Sequence, residues 1–359
     1  MSKLAMSKVT VGLDLGDRFS QLYFLDEHGE VAEEARVRTT ETALRRWFGP
    51  LAPARVALEV GTHSPWVSRL LEELGHDVIV ANARHVRMIY AGDRKSDRLD
   101  AEALARLARL DPALLHQVTH RSREAQEALA VIRAREVLVR TRTRLVNHVR
   151  GAVKSAGHRI PRCSAESFHR RAAEALPEGL RPALLPLIEM VEELTAQIRT
   201  YDRAIDRLAV DVYPETLALS QVRGVGNLTA LAFVLTLEEP ERFARSRSVG
   251  PYLGLCPGER QSGDNRAECR ITKAGNGMLR RLLVQSAHYQ LGPFGEDSDL
   301  RRWGLERAAR GGKAARRKAV VGVARKLAVL LHHLWLTGEV YEPLRNSDTF
   351  ADEEERHAA

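Results

Sequence analysis

Four carboxylates stand where acidic side chains could do chemistry together. Asp14 closes the run Gly12-Leu13-Asp14-Leu15-Gly16, and Glu59 closes Val56-Ala57-Leu58-Glu59 before Val60-Gly61. Asp97 and Asp100 are three residues apart where a helical pattern begins, a spacing that puts both on one side of a helix. Carboxylates gathered at one place repel unless a cation compensates them, and Mg2+ prefers hard oxygen donors of this kind. Two such ions can clamp the attacking and leaving oxygens of phosphoryl transfer. Each residue has a plainer reading as well. Asp14 suits a strand-to-turn signal, Glu59 an exposed strand end, Asp97 a helix cap and Asp100 a solvated helix charge. Asp93, just before Arg94-Lys95, is a reserve candidate.

The elements that must position these groups are legible in the apolar pattern. Residues 9–15, 19–25 and 30–38 read as three strands joined by short turns, with Asp26-Glu27-His28-Gly29 making the second turn. Thr40 caps a helix through Phe48, and strand 55–60, helix 65–74 and strand 77–80 follow. The first three strands leave no room for crossover helices, so the sheet is expected to be mixed rather than wholly parallel. If its first and fourth strands are neighbours, Asp14 and Glu59 converge at one edge. From Asp97 the chain turns helical: 97–110, then long helices over 121–153 and 184–208, read as an antiparallel hairpin or coiled coil. A further unit is expected from about residue 212. It holds the turn Val222-Arg223-Gly224-Val225-Gly226-Asn227, an apolar helix 228–237, a polar loop at Gln261-Ser262-Gly263, a helix with Arg280 and Arg281, and a helix 314–336.

The composition favours an anionic partner. Lys and Arg number 55 against 47 Asp and Glu, a formal charge of +8, and the guanidinium fork of the dominant Arg suits phosphates. Such an excess does not by itself separate DNA from RNA or a membrane surface. With 44% hydrophobic and 28% charged residues, the chain is a globular one rather than a disordered one. Cys163, Cys256 and Cys269 lack the spacing of a zinc site or disulfide framework, which fits a reducing cytoplasm. The richest apolar stretch, 319–336, is broken by Arg325, Lys326, His332 and His333, so a packed helix is expected there and no membrane partner. In the long helices, Arg133, Arg135, Arg140, Arg142, Arg144 and Arg150 call for solvent or an acidic partner, and Arg133, Arg140 and Arg144 are the candidates for nucleic acid.

Three stretches then carry a family resemblance: Gly12-Leu13-Asp14-Leu15, Leu58-Glu59-Val60-Gly61 and Lys95-Ser96-Asp97-Arg98-Leu99-Asp100-Ala101. Downstream, Tyr252-Leu253-Gly254-Leu255-Cys256-Pro257, Gln261-Ser262-Gly263, Ile271-Thr272-Lys273-Ala274-Gly275-Asn276 and Leu279-Arg280-Arg281-Leu282-Leu283 follow in a compact order. The chain resembles the bacterial IS110-family transposases, which include bridge-RNA-guided recombinases, over residues 9–338. Family members more often carry Thr at the position of Ser96, and Ala or Thr at that of Val60; neither departure removes a carboxylate.

The resemblance implies an α/β plus all-α architecture. A ribonuclease-H-like (RuvC-like) catalytic domain would occupy residues 1–120 and a helical hairpin or coiled coil 121–211. A mostly helical transposase domain with a helix-hairpin-helix-like element would span 212–342, and an acidic tail 343–359. It implies that Asp14, Glu59, Asp97 and Asp100 bind Mg2+ and that Ser262 is the nucleophile. Attack by its hydroxyl leaves a phosphoserine link to DNA that conserves the bond for rejoining. Arg260, Arg266, Arg270 and Lys273 stand near it in sequence to stabilise developing charge, and Gly224 and Gly226 would let backbone N–H groups meet a phosphate. The implied partners are donor and target DNA, a structured guide RNA and further copies of the chain. The acidic domain of one copy would complete the serine site of another, in the cytoplasm of a bacterium, at the nucleoid. Without the resemblance, Gln261-Ser262-Gly263 is an ordinary turn, Ser246 and Ser248 are caps and Tyr252 is core. The rival readings are a RuvC-like endonuclease whose second domain only binds DNA, a non-catalytic nucleic-acid-binding protein and, more weakly, an actin-like ATPase.

Overall fold

Apolar alternation in short strands builds the first of two compact units, residues 1–121. The computed structural model describes residues 9–82, 96–262 and 265–345, and for 259–262 and 265–268 the backbone alone. Asp93, Lys95 and residues 346–359, most of the expected acidic tail, lie outside the described residues. Strands β1 (Thr10–Asp14), β2 (Phe19–Leu25) and β3 (Val31–Arg38) form an antiparallel meander, and α1 (Glu41–Phe48) follows with Thr40 as its cap. Then come β4 (Arg55–Glu59), α2 (Ser64–Glu73), β5 (Asp77–Ala81) and α3 (Asp97–Leu110). The sheet order is β3-β2-β1-β4-β5, with β4 parallel to both β1 and β5. The first and fourth strands are thus neighbours in a mixed sheet, an arrangement consistent with a ribonuclease-H-like fold. The outer strand β3 is largely exposed and charged, which discourages further pairing at that edge.

Both sheet faces are covered. Val11, Leu13, Val56, Leu58, Val78 and Val80 pack against Leu44 and Phe48 of α1 and Val67 and Leu71 of α2. On the other face, Ala57, Ile79 and Ala81 meet Leu104, Leu107 and Ala108 of α3, while Tyr23 and Leu25 meet Ala101 and Ala105. Gly12, on β1, is where this helix comes closest. A Cβ there would stand 1.9 Å from the Ala101 carbonyl oxygen and 2.7 Å from the Ala105 nitrogen, both backbone atoms. Any side chain at position 12 would therefore lift α3 off the sheet.

The second unit, residues 122–359, is helical among its described residues apart from one hairpin. The helices α4 (Arg123–Ser155) and α6 (Arg181–Arg207) run antiparallel, as the pairings of Arg135 with Asp202 and of Arg142 with Thr195 show; the short α5 (Phe168–Glu174) seals their far end around Phe168. Next come α7 (Thr216–Ser220), α8 (Asn227–Leu237) and α9 (Val249–Tyr252), then β6 (Pro257–Ser262) paired with β7 (Asn265–Ile271), and finally α10 (Gly277–Leu291), α11 (Asp299–Ala309) and α12 (Gly312–Thr337). Every residue from Thr229 to Leu237 is buried, so α8 is the central rod of this core. Although α12 is long and apolar enough to cross a membrane by length and composition, Val323, Leu327 and Leu331 are fully buried in the same core.

Two local expectations are corrected. Gln261 and Ser262 belong to a β-strand rather than a polar loop. Ser96, not Asp97, caps α3, its hydroxyl accepting from the Leu99 N–H at 3.3 Å, which frees the Asp97 carboxylate from that role. The close approach at Gly12 yields a direct test. Gly12→Ala should destabilise the protein by about 3 kcal/mol, the upper range for overpacking, because the obstructing atoms are backbone and have no rotamer to retreat into. Urea denaturation followed by circular dichroism measures it, and a midpoint equal to that of the parent protein would refute the tight contact.

Candidate active site

In the first unit the carboxylates are brought to one edge of the sheet. Leu13 pairs with Leu58, so Asp14 and Glu59 are the next residues on two adjacent parallel strands. Both are half-buried where their strands end. The direction of α3 decides where the other two go. At its C-terminal end, the Arg109 guanidinium donates to the Asp26 carbonyl at 3.0 Å, and Arg55 donates to the Ala108 carbonyl at 3.3 Å. Asp26 follows β2 beside the start of β1, and Arg55 opens β4. The helix therefore runs against β1 and β4, and its first turn, with Asp97 and Asp100, lies toward the edge that holds Asp14 and Glu59. Arg98 fixes that turn from the side, its Nε donating to Glu34 on β3 at 2.6 Å while its guanidinium lies 5.7 Å from the Tyr23 ring. Asp97 is exposed and Asp100 half-buried.

Sharing an edge is less than sharing a coordination sphere. Among the described residues no three His, Cys, Asp or Glu side chains form a group that could hold a metal ion. The donor set is nevertheless the all-oxygen kind that Mg2+ takes. Two residues that the sequence reading passed over stand at the same edge. His63, after β4, places Nε2 3.6 Å from the Asp17 carboxylate, and its Nδ1 accepts from the Trp66 indole N–H at 3.0 Å. Their sequence signal is only their place, just past Asp14 and Glu59.

In the second unit, Ser262 ends β6 and pairs with Asn265; Gln261 pairs with Arg266 and Arg260 with Ala267. The base of this hairpin is clamped by backbone contacts that explain the flanking motifs. Gly254 has φ +66°, and a Cβ there would stand 2.3 Å from the Ala274 nitrogen; Gly275 has φ +67°, and a Cβ there would stand 2.2 Å from the Tyr252 carbonyl oxygen. Two segments thus lie main chain against main chain, which only glycine permits. The Arg280 Nη1 group donates to the carbonyls of Leu253 at 2.9 Å and Ala274 at 2.7 Å, joining the two. Lys273, between β7 and this clamp, is exposed at φ 55°, and Arg270 is exposed on β7. Tyr252 stacks edge-on against Phe243 at 5.2 Å, as a core residue does.

The remaining basic candidates divide by environment. Arg135 is bound to Asp202, Arg142 to Thr195, and Arg150 lies 5.1 Å from the Phe168 ring, so these three hold the helical hairpin together. Arg133, Arg140 and Arg144 are all exposed, and Arg140 also pairs with Glu136 at 2.9 Å. The turn between α7 and α8 has Gly224 at φ +84°, and a Cβ there would meet the Tyr289 ring at 2.8 Å; around Gly226 there is open space. Packing on α10 thus accounts for Gly224.

Arg280→Met, which keeps the aliphatic stem but leaves two carbonyls without their donor, is expected to cost about 2 kcal/mol. Thermal unfolding of the parent and the variant checks this; an unchanged transition would mean that the clamp stands on its glycines alone.

Known proteins share this arrangement of segments. Residues 11–157, which contain Asp14, Glu59, Asp97 and Asp100 in that order, match a family described as a transposase. Residues 217–299, which contain the clamped hairpin, match the Transposase IS116/IS110/IS902 family. The "Probable family 20 transposase" of Pseudomonas aeruginosa is 30% identical over 310 residues, covering 83% of this chain and 89% of its own. The transposase for insertion sequence element IS1328 of Yersinia enterocolitica is 30% identical over 288 residues, 79% of this chain and 84% of its own. The transposase for insertion sequence element IS1111A of Coxiella burnetii is 27% identical over 346 residues, 92% and 90% of the two chains. Both units are covered by these alignments, and the chain belongs to the IS110/IS116/IS902 family of transposases, enzymes that transfer DNA strands.

Proposed function

We propose that this transposase cuts and rejoins DNA through a covalent link at Ser262, assisted by the carboxylates of the first unit. The observation that carries the acidic half is the pairing of β1 with β4, which makes Asp14 and Glu59 neighbours at the edge toward which α3 carries Asp97 and Asp100. The donors that would hold Mg2+ are these four side chains, and the ion would supply positive charge against a phosphate in reaction. In the serine half, the Ser262 hydroxyl attacks a backbone phosphorus. An O–P bond forms to the serine, the bond to the departing strand's oxygen breaks, and that oxygen leaves with a proton. Attack by the strand to be joined reverses these events and restores the hydroxyl. The positions of Arg260, Arg270 and Lys273 around the hairpin support a role in stabilising the charged intermediate.

The reading extends to partners. The resemblance supports a structured guide RNA and assembly into a homo-oligomer, with the exposed Arg133 and Arg144 on α4, and the open start of α8 at Gly226, offered to nucleic-acid phosphates. Replacing Arg133 and Arg144 by Gln should lower affinity several-fold and reduce the salt dependence of binding, while the same change at Arg140, already paired with Glu136, should do less. Filter binding at several salt concentrations decides it, and equal slopes for all variants would make this helix purely structural. Sequencing of RNA that co-purifies with the expressed protein tests the guide.

The chemistry is tested directly. Ser262→Ala should keep assembly and DNA binding yet form no protein–DNA adduct, and Asp14→Asn or Asp100→Asn should abolish strand transfer without unfolding the protein. Peptide mapping of a denatured reaction on labelled DNA locates the link. A label on Tyr252 or another serine overturns the assignment, and cleavage with free 5′-phosphate ends and no adduct favours a hydrolytic endonuclease instead.

A further inference from the structure

We infer that a cationic cleft on the second unit, formed where the segment before α9 meets α12, seats a backbone phosphate of the DNA on which the transposase acts. The cleft has a volume of about 680 Å3, with Arg247, Arg325 and Lys326 over an apolar floor that includes Val329 and Leu330. The wall formed by Arg247, Arg325 and Lys326 beside this apolar floor matches a sugar–phosphate unit, whose anionic and apolar parts lie side by side.

Each cation is held by construction. Arg247 follows Ser246, whose hydroxyl donates to His332 Nδ1 at 2.9 Å, while His332 Nε2 donates to the Pro240 carbonyl at 2.9 Å. The carbonyl only accepts, so the proton sits on Nε2, and burial of His332 holds its imidazole below the usual range and hence neutral. Arg325 lies over Gly250, where a Cβ would meet its Cγ at 2.9 Å, and its Nη1 group stands 3.9 Å from the Cys256 sulfur. Lys326 Nζ lies 4.7 Å from the Trp303 ring centroid, and the Arg307 guanidinium lies 4.8 Å from the same ring. The indole in turn rests on Gly322, where a Cβ would meet it at 2.9 Å.

What sets Arg247, Arg325 and Lys326 apart is that, among the described residues, none of the three forms an ion pair with a carboxylate. Elsewhere in this unit arginines find acids: Arg302 with Asp297 at 2.6 Å, Arg223 with Glu296 at 2.9 Å, and Arg345 with Glu339 at 2.8 Å. Three carboxylates also line the cleft: Glu339 is engaged by Arg345 and by His333 at 3.5 Å, Glu342 adds its charge at Arg345, and Asp299 opens α11. The influences on Lys326 are burial and then the positive charges of Arg325, Arg307 and Arg247, all of which press its ammonium below the ordinary range. Cations collected this way repel one another until an anion enters. Nothing here depends on the chemistry assigned to Ser262 or to the carboxylates; the inference rests only on the enzyme's acting on DNA.

The full-length protein tests it in two ways. Arg247→Gln combined with Lys326→Met should weaken binding of a fluorescein-labelled duplex about tenfold at moderate salt and lower the slope of log affinity against log salt by about 1 to 2. Unchanged affinity and slope in a variant with the parent's circular dichroism would overturn the inference. Should the variant fail to fold, acetylation of Lys326 in the parent protein, read by mass spectrometry, decides instead. Duplex DNA should protect Lys326, and inorganic phosphate at the same phosphate concentration should not. Equal protection by both would make the cleft a site for a small anion, and no protection under saturating duplex would remove it as a DNA contact. A Ser262 adduct formed without Lys326 protection defeats this inference alone. Protection without an adduct defeats only the proposed chemistry.

Discussion

The contact between α3 and Gly12 sets the geometry of the first unit. With a carbonyl oxygen of the helix 1.9 Å from where a Cβ would stand, helix and strand touch backbone to backbone. Ala101 and Ala105 complete that contact from the helix side, and both are fully buried. Small residues on both surfaces bring the first turn of α3 down close to the sheet, and the arginine contacts at its far end fix its direction. Strand pairing, helix direction and close approach therefore act on the same edge of the sheet, where β1 and β4 end and toward which α3 begins.

The second unit solves a related problem with different means. Its hairpin is polar and has little apolar surface with which to hold itself in place. Its base is secured instead by two glycines in left-handed conformation and by a guanidinium that serves two carbonyls. Backbone-to-backbone contact tolerates almost no displacement, because neither side has a rotamer to change. The nucleophilic role proposed for Ser262 would draw on such a base, since misplacement by a fraction of an ångström is costly in phosphoryl transfer.

Arginine serves two purposes in this chain, and environment separates them. Arg135, Arg142 and Arg150 satisfy neighbours within the helical hairpin, Arg109 and Arg280 tie carbonyls of distant segments, and Arg98 secures the first turn of α3. Arg133, Arg144 and the cations beside Trp303 instead face outward. The formal charge of +8 is thus a net figure that conceals an internally engaged population and an outward-facing one.

Local patterns in the sequence determined the elements themselves. The three meander strands, the strand–helix alternation after them, α3 beginning at Asp97 and the long helices all follow from periodicity and capping, which act over a few residues. The spacing of Asp97 and Asp100 placed them on one helix, and Asp14 and Glu59 at strand ends, before any contact was known. Tertiary structure decided which strands are neighbours, which way α3 runs and which arginines are already engaged. It also turned Gln261 and Ser262 from an expected loop into a strand. The physical reason is the same in each case. Pro257-Gly258-Glu259-Arg260-Gln261-Ser262 has no apolar alternation, so its conformation comes from pairing with β7, and a glycine such as Gly12 permits a close approach without specifying what approaches. Periodicity encodes what each segment prefers alone, and the partner across the contact is supplied only when the chain is folded.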